Sequence, residues 1–278
     1  VSALTLVASW LYARNGKHLK NLYKEEAEAY LIGLAATRRQ STVSLARQAI
    51  NLHLLKDDPL KFVQSEVQTE LVDRAYTITE IDLLVKSAPP KLAFSISLTA
   101  DSGLRGVELL TIARPEQLVP SKRDWLPDRF LGREEDARFV VWGKGGLHRE
   151  VRVSNGLAAQ LDEYRRDAVV KTSHRGAFLP SFFDLVGGHK FSKTFGQLSM
   201  DVLGFSHGGH GLRHSFVQRR RTELLCVGLS LREAIATVSQ EIGHFHDKNT
   251  RAYLRDMELA SFTKDVSARH IKLSQENI

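Results

Sequence analysis

The chain has 278 residues, 39 Lys and Arg against 32 Asp and Glu, a formal charge of +7 at pH 7, and one cysteine. That length accommodates two ordinary domains, each with its own core. The lone Cys226 excludes an internal disulfide framework and fits a reducing compartment, and no run approaches the ~18 apolar residues of a membrane span.

The basic balance suits a polyanionic partner such as nucleic acid. The opening V-S-A-L-T-L-V-A-S-W lacks the basic n-region of a signal peptide, so a cytoplasmic location is expected. The start at Val1 rather than Met leaves room for an additional N-terminal segment.

From about residue 3 to 56 the apolar residues recur at helical spacing, with K-E-E-A-E-A-Y-L-I-G-L-A-A-T and T-V-S-L-A-R-Q-A-I-N-L-H-L-L as two of the helices. This predicts a small helical domain over 1–65. Its Lys17, Lys20, Lys24, Arg38, Arg39 and Arg47 are candidate phosphate contacts, although solvated helix faces carry such charges too. A polar stretch that begins with K-D-D-P-L-K at 56–61 reads as a flexible linker, centred on 66–74.

The second unit, 75–278, opens with Thr77 and Glu80 at capping-box spacing for a helix that must stop before Pro89-Pro90. A further helix runs to Gly103, a turn that delivers Arg105 to the next helix. Between about 111 and 154 the pattern turns to β, with F-V-V-W and E-V-R-V-S flanking G-K-G-G, so Lys144 is expected at a hairpin tip. Helices are predicted at 155–168, 192–201, 210–222 and 230–242, the last with Ser230 and Glu233 at capping-box spacing. Cys226, in E-L-L-C-V-G, is read as a buried packing residue. The result is a mainly α chain with a small antiparallel sheet.

Three stretches concentrate chemistry: S-G-L-R-G-V-E at 102–108, V-W-G-K-G-G at 141–146, and H-G-L-R-H at 210–214. His244 follows thirty residues after His214, at the end of V-S-Q-E-I-G-H, and Tyr253 nine residues later. His210 and Arg213, three apart on a helix, are expected to share one face. In chain order Arg105, Lys144, His210, Arg213, His244 and Tyr253 resemble the tyrosine recombinases, the lambda-integrase-like site-specific DNA recombinases, over roughly residues 75–255.

The resemblance implies a helical core-binding (SAM-like) domain followed by a recombinase catalytic domain. Arg105 and Arg213 would clamp the scissile phosphate, since planar guanidinium forks match its non-bridging oxygens. Tyr253 would be the nucleophile, leaving a 3′-phosphotyrosyl link, and Lys144 the general acid for the departing 5′-oxygen. His210 would accept the tyrosine proton or hydrogen-bond the phosphate, and His244 would donate to a non-bridging oxygen. Glu108 would orient an active-site arginine or histidine, with His214 as a support. No cofactor or metal is implied. The partners implied are double-stranded DNA recombination sites, a homotetramer joined through the tail at about 255–278, and accessory DNA-bending or directionality factors, on the nucleoid.

Arg105 and Lys144 stand 39 residues apart, a spacing that points to an insertion over about 115–138, either an extra element or a solvated loop. Arg219 and Arg220 make the helix after the histidines unusually basic and join the candidate phosphate contacts. The tail could dock on an adjacent protomer or on its own domain. Integration or excision of a mobile element and resolution of chromosome or plasmid dimers stay open as biological roles. Rival readings are a histidine-ligated zinc enzyme built on His207, His210, His214, His244 and His246 with Glu241, a DNA-binding protein that does not cut, and a type IB topoisomerase. The zinc reading leaves Arg105, Arg213 and Tyr253 unexplained.

Overall fold

The computed structural model describes residues 3–67, 73–174 and 176–245. The chain divides into two compact units, Val1–Leu71 and Val72–Ile278.

In the first unit, helices α1 (Ala3–Asn15), α2 (Lys24–Ala35) and α3 (Gln40–His53) enclose a core. Their inward stripes follow the helical repeat: Val7 and Leu11, then Ala27, Leu31 and Ala35 with Tyr30, then Val43, Ala46 and Ile50. The segment after α3, expected to be a flexible linker from residue 56, packs back on this core instead. Leu60 is buried, and its N–H donates to Asn51 Oδ1 at 2.8 Å while Asn51 Nδ2 returns a bond to its carbonyl at 3.2 Å. Gln40 Oε1 likewise holds the Ser65 N–H at 2.7 Å, so the chain is strapped down as far as Val67.

The second unit begins with α4 (Ile78–Ser87), and its capping box is formed: the Thr77 N–H donates to Glu80 Oε2 at 2.7 Å and the Glu80 N–H to Thr77 Oγ1 at 3.2 Å. Pro90 opens α5 (Pro90–Ser102) at a position where a missing N–H costs nothing. Gly103 ends α5 in the left-handed conformation, φ 61°, and a short α6 (Glu108–Thr111) follows. Strands β1 (Ala137–Trp142) and β2 (His148–Val153) pair antiparallel, with Ala137 opposite Val153 and Trp142 opposite His148. Then come α7 (Asn155–Glu163), α8 (Gly188–Leu203), α9 (Gly209–Cys226) and α10 (Leu231–Glu241), the last with its own Ser230–Glu233 capping box.

Besides the linker, four expectations are corrected. The helix predicted over 155–168 stops at Glu163, and a second antiparallel hairpin follows, β3 (Arg165–His174) with β4 (Ala177–Phe183). The stretch 115–138, read as an extra loop or strand or a solvated loop, is an irregular loop up to β1 at Ala137, exposed in part but fastened to the domain. It folds over the first hairpin and the end of α10, where the Leu126 N–H donates to Gln240 Oε1 at 2.6 Å and Ser121 exchanges bonds with His148. Arg133 ties it to Asp101 at the end of α5 and pairs within it with Asp136. Cys226 is exposed, because two residues past the buried Leu224 carry it about 200° round the helix. Arg220, counted among the phosphate contacts, is 2% exposed and faces inward. It falls on the same stripe as Phe216, Val217 and Leu224, and its guanidinium meets Glu241 at 2.8 Å and Glu223 at 3.2 Å.

The main core gathers α4, α5, α6, both strands of the first hairpin and α8. A smaller cluster of Phe216, Val217, Leu224, Ala234, Val238 and Ile242 joins α9 to α10. These two packings bring the end of α5, the β1–β2 hairpin, the start of α9 and the end of α10 to one place. No helix among the described residues is long and apolar enough to cross a membrane.

Candidate active site

Each charged group at this place is delivered by a local constraint. The turn at Gly103 cannot carry a side chain, since a Cβ there would collide with the Phe216 ring in addition to the positive φ. Two residues on, Arg105 folds back on Glu108: its backbone N–H and its Nη1 donate to the carboxylate at 2.8 and 2.7 Å. In H-G-L-R-H, Gly211 is required because the residues ahead of α4 cross the first turn of α9, and a Cβ would lie 2.5 Å from Tyr76 Cε2 and 2.6 Å from the Arg74 carbonyl. Tyr76 also accepts the His207 N–H at 2.7 Å, which fixes the approach to α9.

Glu108 is the hub. It is fully buried, and Oε1 holds Arg105 while Oε2 takes Arg149 Nη2 at 2.6 Å and lies 3.8 Å from Arg213 Nη1. Burial by itself raises a carboxyl pKa, but the charges of Arg149, Arg213 and Arg105 overcome it and hold Glu108 well below the usual carboxylate range. Three guanidiniums around one carboxylate leave the frame net positive.

Arg213 has no solvent exposure. Its Nη1 donates to the Gly103 carbonyl at 2.5 Å and its Nη2 to the Ile242 carbonyl, so it pins the ends of α5 and α10 to α9. His210, three residues earlier, is exposed, so the two do not occupy the same layer: the arginine lies within the protein and the histidine at its surface. His210 and His214 stack edge to face with ring centroids 5.5 Å apart. His244 follows Gly243, whose φ of 73° turns the chain out of α10, and its Nε2 lies 3.2 Å from Arg105 Nη2. A guanidinium only donates, so Nε2 accepts and the ring proton of a neutral His244 sits on Nδ1.

The three histidines are all poor bases here. His210 is lowered to about 4 by desolvation first and then by Arg213, His214 and Arg74, even though its outer face touches solvent. His214, lowered to about 4, follows desolvation and Arg74, and His244, also about 4, follows desolvation, Arg213 and Arg105. All three are neutral at pH 7. Among the described residues no group of three or more His, Cys, Asp or Glu is arranged to hold a metal ion.

Lys144 sits, as the turn chemistry predicts, in a single helical turn between β1 and β2, where Gly145 and Gly146 both take positive φ, 72° and 78°. Its side chain is exposed. It lines a cavity of about 1210 Å³ together with Arg105, Arg166, His174, His189 and Lys190. Gly143, beside it, presses close enough that a Cβ would lie 2.9 Å from Glu108 Oε1.

Arg149 was not among the residues expected from sequence. Its signal is phase: on β2 it points the same way as Val151 and Val153, all three buried, so an arginine occupies a core position of the strand. Tyr253 and the tail at about 255–278 lie outside the described residues, as does His246. Of the expected phosphate contacts, Lys20, Arg38 and Arg39 are exposed, whereas Lys17 pairs with Glu26, Lys24 with Asp58, and Arg47 donates to the Leu60 carbonyl. Arg219 pairs with Glu223 at 3.2 Å and caps the Ala100 carbonyl at the end of α5.

No family model and no curated protein matches the chain. Among solved structures it is similar to the XerH site-specific recombinase bound to palindromic difH substrate in a post-cleavage complex, at a TM-score of 0.56 and 14% identity over 95% of this chain and 76% of that one. It is also similar to a lambda integrase(75-356) dimer bound to a COC′ core site, at a TM-score of 0.54 and 13% identity over 91% and 88% of the two chains. A lambda integrase tetramer bound to a Holliday junction gives a TM-score of 0.50 and 15% identity over 90% and 70%. The chain has the tyrosine-recombinase fold. Within that fold, Arg105 after α5, Arg213 of α9 and Arg149 of the first hairpin converge on Glu108, His244 after α10 meets Arg105, and Lys144 and His210 stand exposed. The arrangement is suited to an oxyanion: buried guanidiniums fix the frame, and Arg105, Lys144, His210 and His244 offer donors at its outer edge.

Proposed function

We propose that the protein is a site-specific tyrosine recombinase that cuts and rejoins duplex DNA through a covalent 3′-phosphotyrosyl intermediate. The observation that carries this reading is the gathering of Arg213 and His244, both more than a hundred residues further along the chain, onto the Arg105–Glu108 pair. The tyrosine-recombinase fold agrees with it.

In this reading the scissile phosphate rests against Arg105 and His244, and Arg213, expected as the second half of the clamp, holds the backbone beneath them instead, being wholly buried and bonded to the Gly103 and Ile242 carbonyls. To donate to a non-bridging oxygen through Nε2, His244 must release the Arg105 contact and change tautomer. Tyr253 attacks phosphorus, the neutral His210 hydrogen-bonds the phosphate or takes the phenolic proton once the negative charge of the bound phosphate has raised its basicity, and the ester bond to the 5′-oxygen breaks as Lys144 supplies its proton. The phosphotyrosyl bond conserves the energy of the phosphodiester, so rejoining needs no ATP. A tetramer on two paired sites, passage through a Holliday junction, and integration or excision of a mobile element complete the proposal, with dimer resolution as the second biological role. The relatives named above include a tetramer on a Holliday junction, which supports the assembly.

Denaturing electrophoresis in EDTA, after incubation with a pooled library of nicked duplexes that trap cleaved strands, tests this. A DNA-linked band is expected for the wild type and not for Tyr253→Phe. A wild type that binds the library without forming the band, or forms it only with added metal, would sink the reading.

A further inference from the structure

We propose that Arg149 is a positioning residue for the cleavage site: its single guanidinium locks Glu108 to the end of α10, and so sets Arg105 and His244 relative to the hairpin that carries Lys144. This rests on the recombinase reading above and adds to it a residue that touches no substrate. Arg149 is 1% exposed, too deep for a phosphate to reach.

Its fork spans two elements. Nη2 donates to Glu108 Oε2 and Nη1 to the Glu241 carbonyl, both at 2.6 Å, from partners 41 and 92 residues away in sequence. The same carboxylate oxygen accepts the Arg105 N–H at 2.8 Å, and the other accepts Arg105 Nη1, so the orientation of Arg105 depends on a carboxylate that Arg149 holds from behind. On the second arm, Glu241 stands three residues before His244. The intervening Gly243 is shaped to the arginine: a Cβ there would lie 2.9 Å from Arg149 Cδ, and its φ is 73°. Arg149 itself sits five residues beyond Lys144 in one hairpin, closed by the Gly143 N–H on the Leu147 carbonyl at 2.7 Å. One side chain thus ties together three of the elements that bear reacting groups. A lysine could reach one acceptor as a point charge but could not bridge both with a planar fork.

The test compares the full chain with Arg149→Met and Arg149→Lys. Three quantities are read: thermal melting, the rate of adduct formation on the nicked-duplex library, and the affinity for inorganic phosphate followed through the ring resonances of His210 and His244. Arg149→Met is expected to bind the library within about threefold of wild type while its adduct rate falls on the order of 100-fold, the cost of misplacing reacting groups by about an ångström. Arg149→Lys should recover part of that rate. Phosphate affinity should weaken at least tenfold in Arg149→Met. Wild-type adduct rate and phosphate affinity in a folded Arg149→Met would overturn the proposal, as would losses that simply follow the folded fraction with no recovery by lysine. If Arg149→Met does not fold, Arg149→Lys decides, an intermediate rate supporting the proposal and a wild-type rate overturning it. If the wild type itself makes no adduct, the recombinase reading falls, and the phosphate titration still decides whether Arg149 sets the oxyanion site.

Discussion

A carboxylate with no exposure, shared by three arginines, makes Glu108 the residue on which the site depends most directly. Replacing it with glutamine leaves Arg149 and Arg213 buried without a counter-charge, and breaking a buried pair in this way costs about 3–5 kcal/mol. A thermal melt of Glu108→Gln should therefore fall by roughly 6–20 °C, given about 2–4 °C per kcal/mol for a domain of this size. The pH dependence has the same origin. Glu108 has a folded pKa far below its ordinary 4.5, so its contribution is complete above about pH 4.5 and is lost as pH falls further. His210, His214 and His244, lowered from 6.5 to about 4, also bind fewer protons folded than unfolded. Their contribution is complete above about pH 6.5 and declines as pH falls towards 4. Stability should thus drop in two stages on acidification, and in Glu108→Gln the second stage should shrink while the first, followed by histidine ring titration, keeps midpoints near 4. Ring midpoints near 6.5 would remove the basis for neutral histidines at this site.

Among elements, those whose inner face repeats at the helical or strand period were legible in sequence, and those held by polar contacts were not. The capping boxes at Thr77 and Ser230, the Gly103 turn and the G-K-G-G hairpin each follow from side-chain chemistry within a few residues. The β3–β4 hairpin was missed because β3 is exposed along most of its length and has no buried face to impose a period of two. Arg149 and Arg220 share a reason: each occupies a core phase of its element, and charge masked the periodicity. The stretch 115–138 was opaque because it is irregular and fastened by distant partners. One of those fastenings carries a prediction. Trp125 packs on Phe245 with ring centroids 4.9 Å apart, and Arg123 lies over the same phenyl ring, so this stretch anchors the residue that begins the eight-residue path to Tyr253. Trp125→Ala should lower the adduct rate at least tenfold with DNA affinity unchanged, a pattern that assigns the effect to placement of Tyr253, the proposed nucleophile, rather than to binding. Equal rates in the two proteins would show that the anchor has no part in placing the nucleophile.

At the scale of the whole molecule, the expected phosphate contacts of the first unit separate into exposed charges and internally paired ones. Lys20, Arg38 and Arg39 are exposed, while Lys17 and Lys24 meet carboxylates of their own unit. Reversing the first three to glutamate should weaken DNA binding and flatten the slope of log affinity against log salt by about one for each phosphate no longer neutralised. The ring resonances of His210 and His244 should not move. Reversal of Lys17 and Lys24 should cost less affinity, because their charges are already matched. A salt slope unaltered by the triple substitution would assign DNA contact to other residues.

The arginines at the end of α10 also bear on how the chain folds. Arg213 joins Gly103 to Ile242, and Arg149 joins Glu108 to the Glu241 carbonyl, across sequence separations of 110, 29, 41 and 92 residues. Contacts so distant close only after the segments between them have been ordered, since loop closure must precede the bond. These four bonds are thus absent until the elements that carry them come together, whereas the Arg105–Glu108 pair, three residues apart, needs no such closure. Amides at the end of α10 should exchange with solvent as slowly as the most protected amides of α5, so that the machinery and the domain are lost in one step.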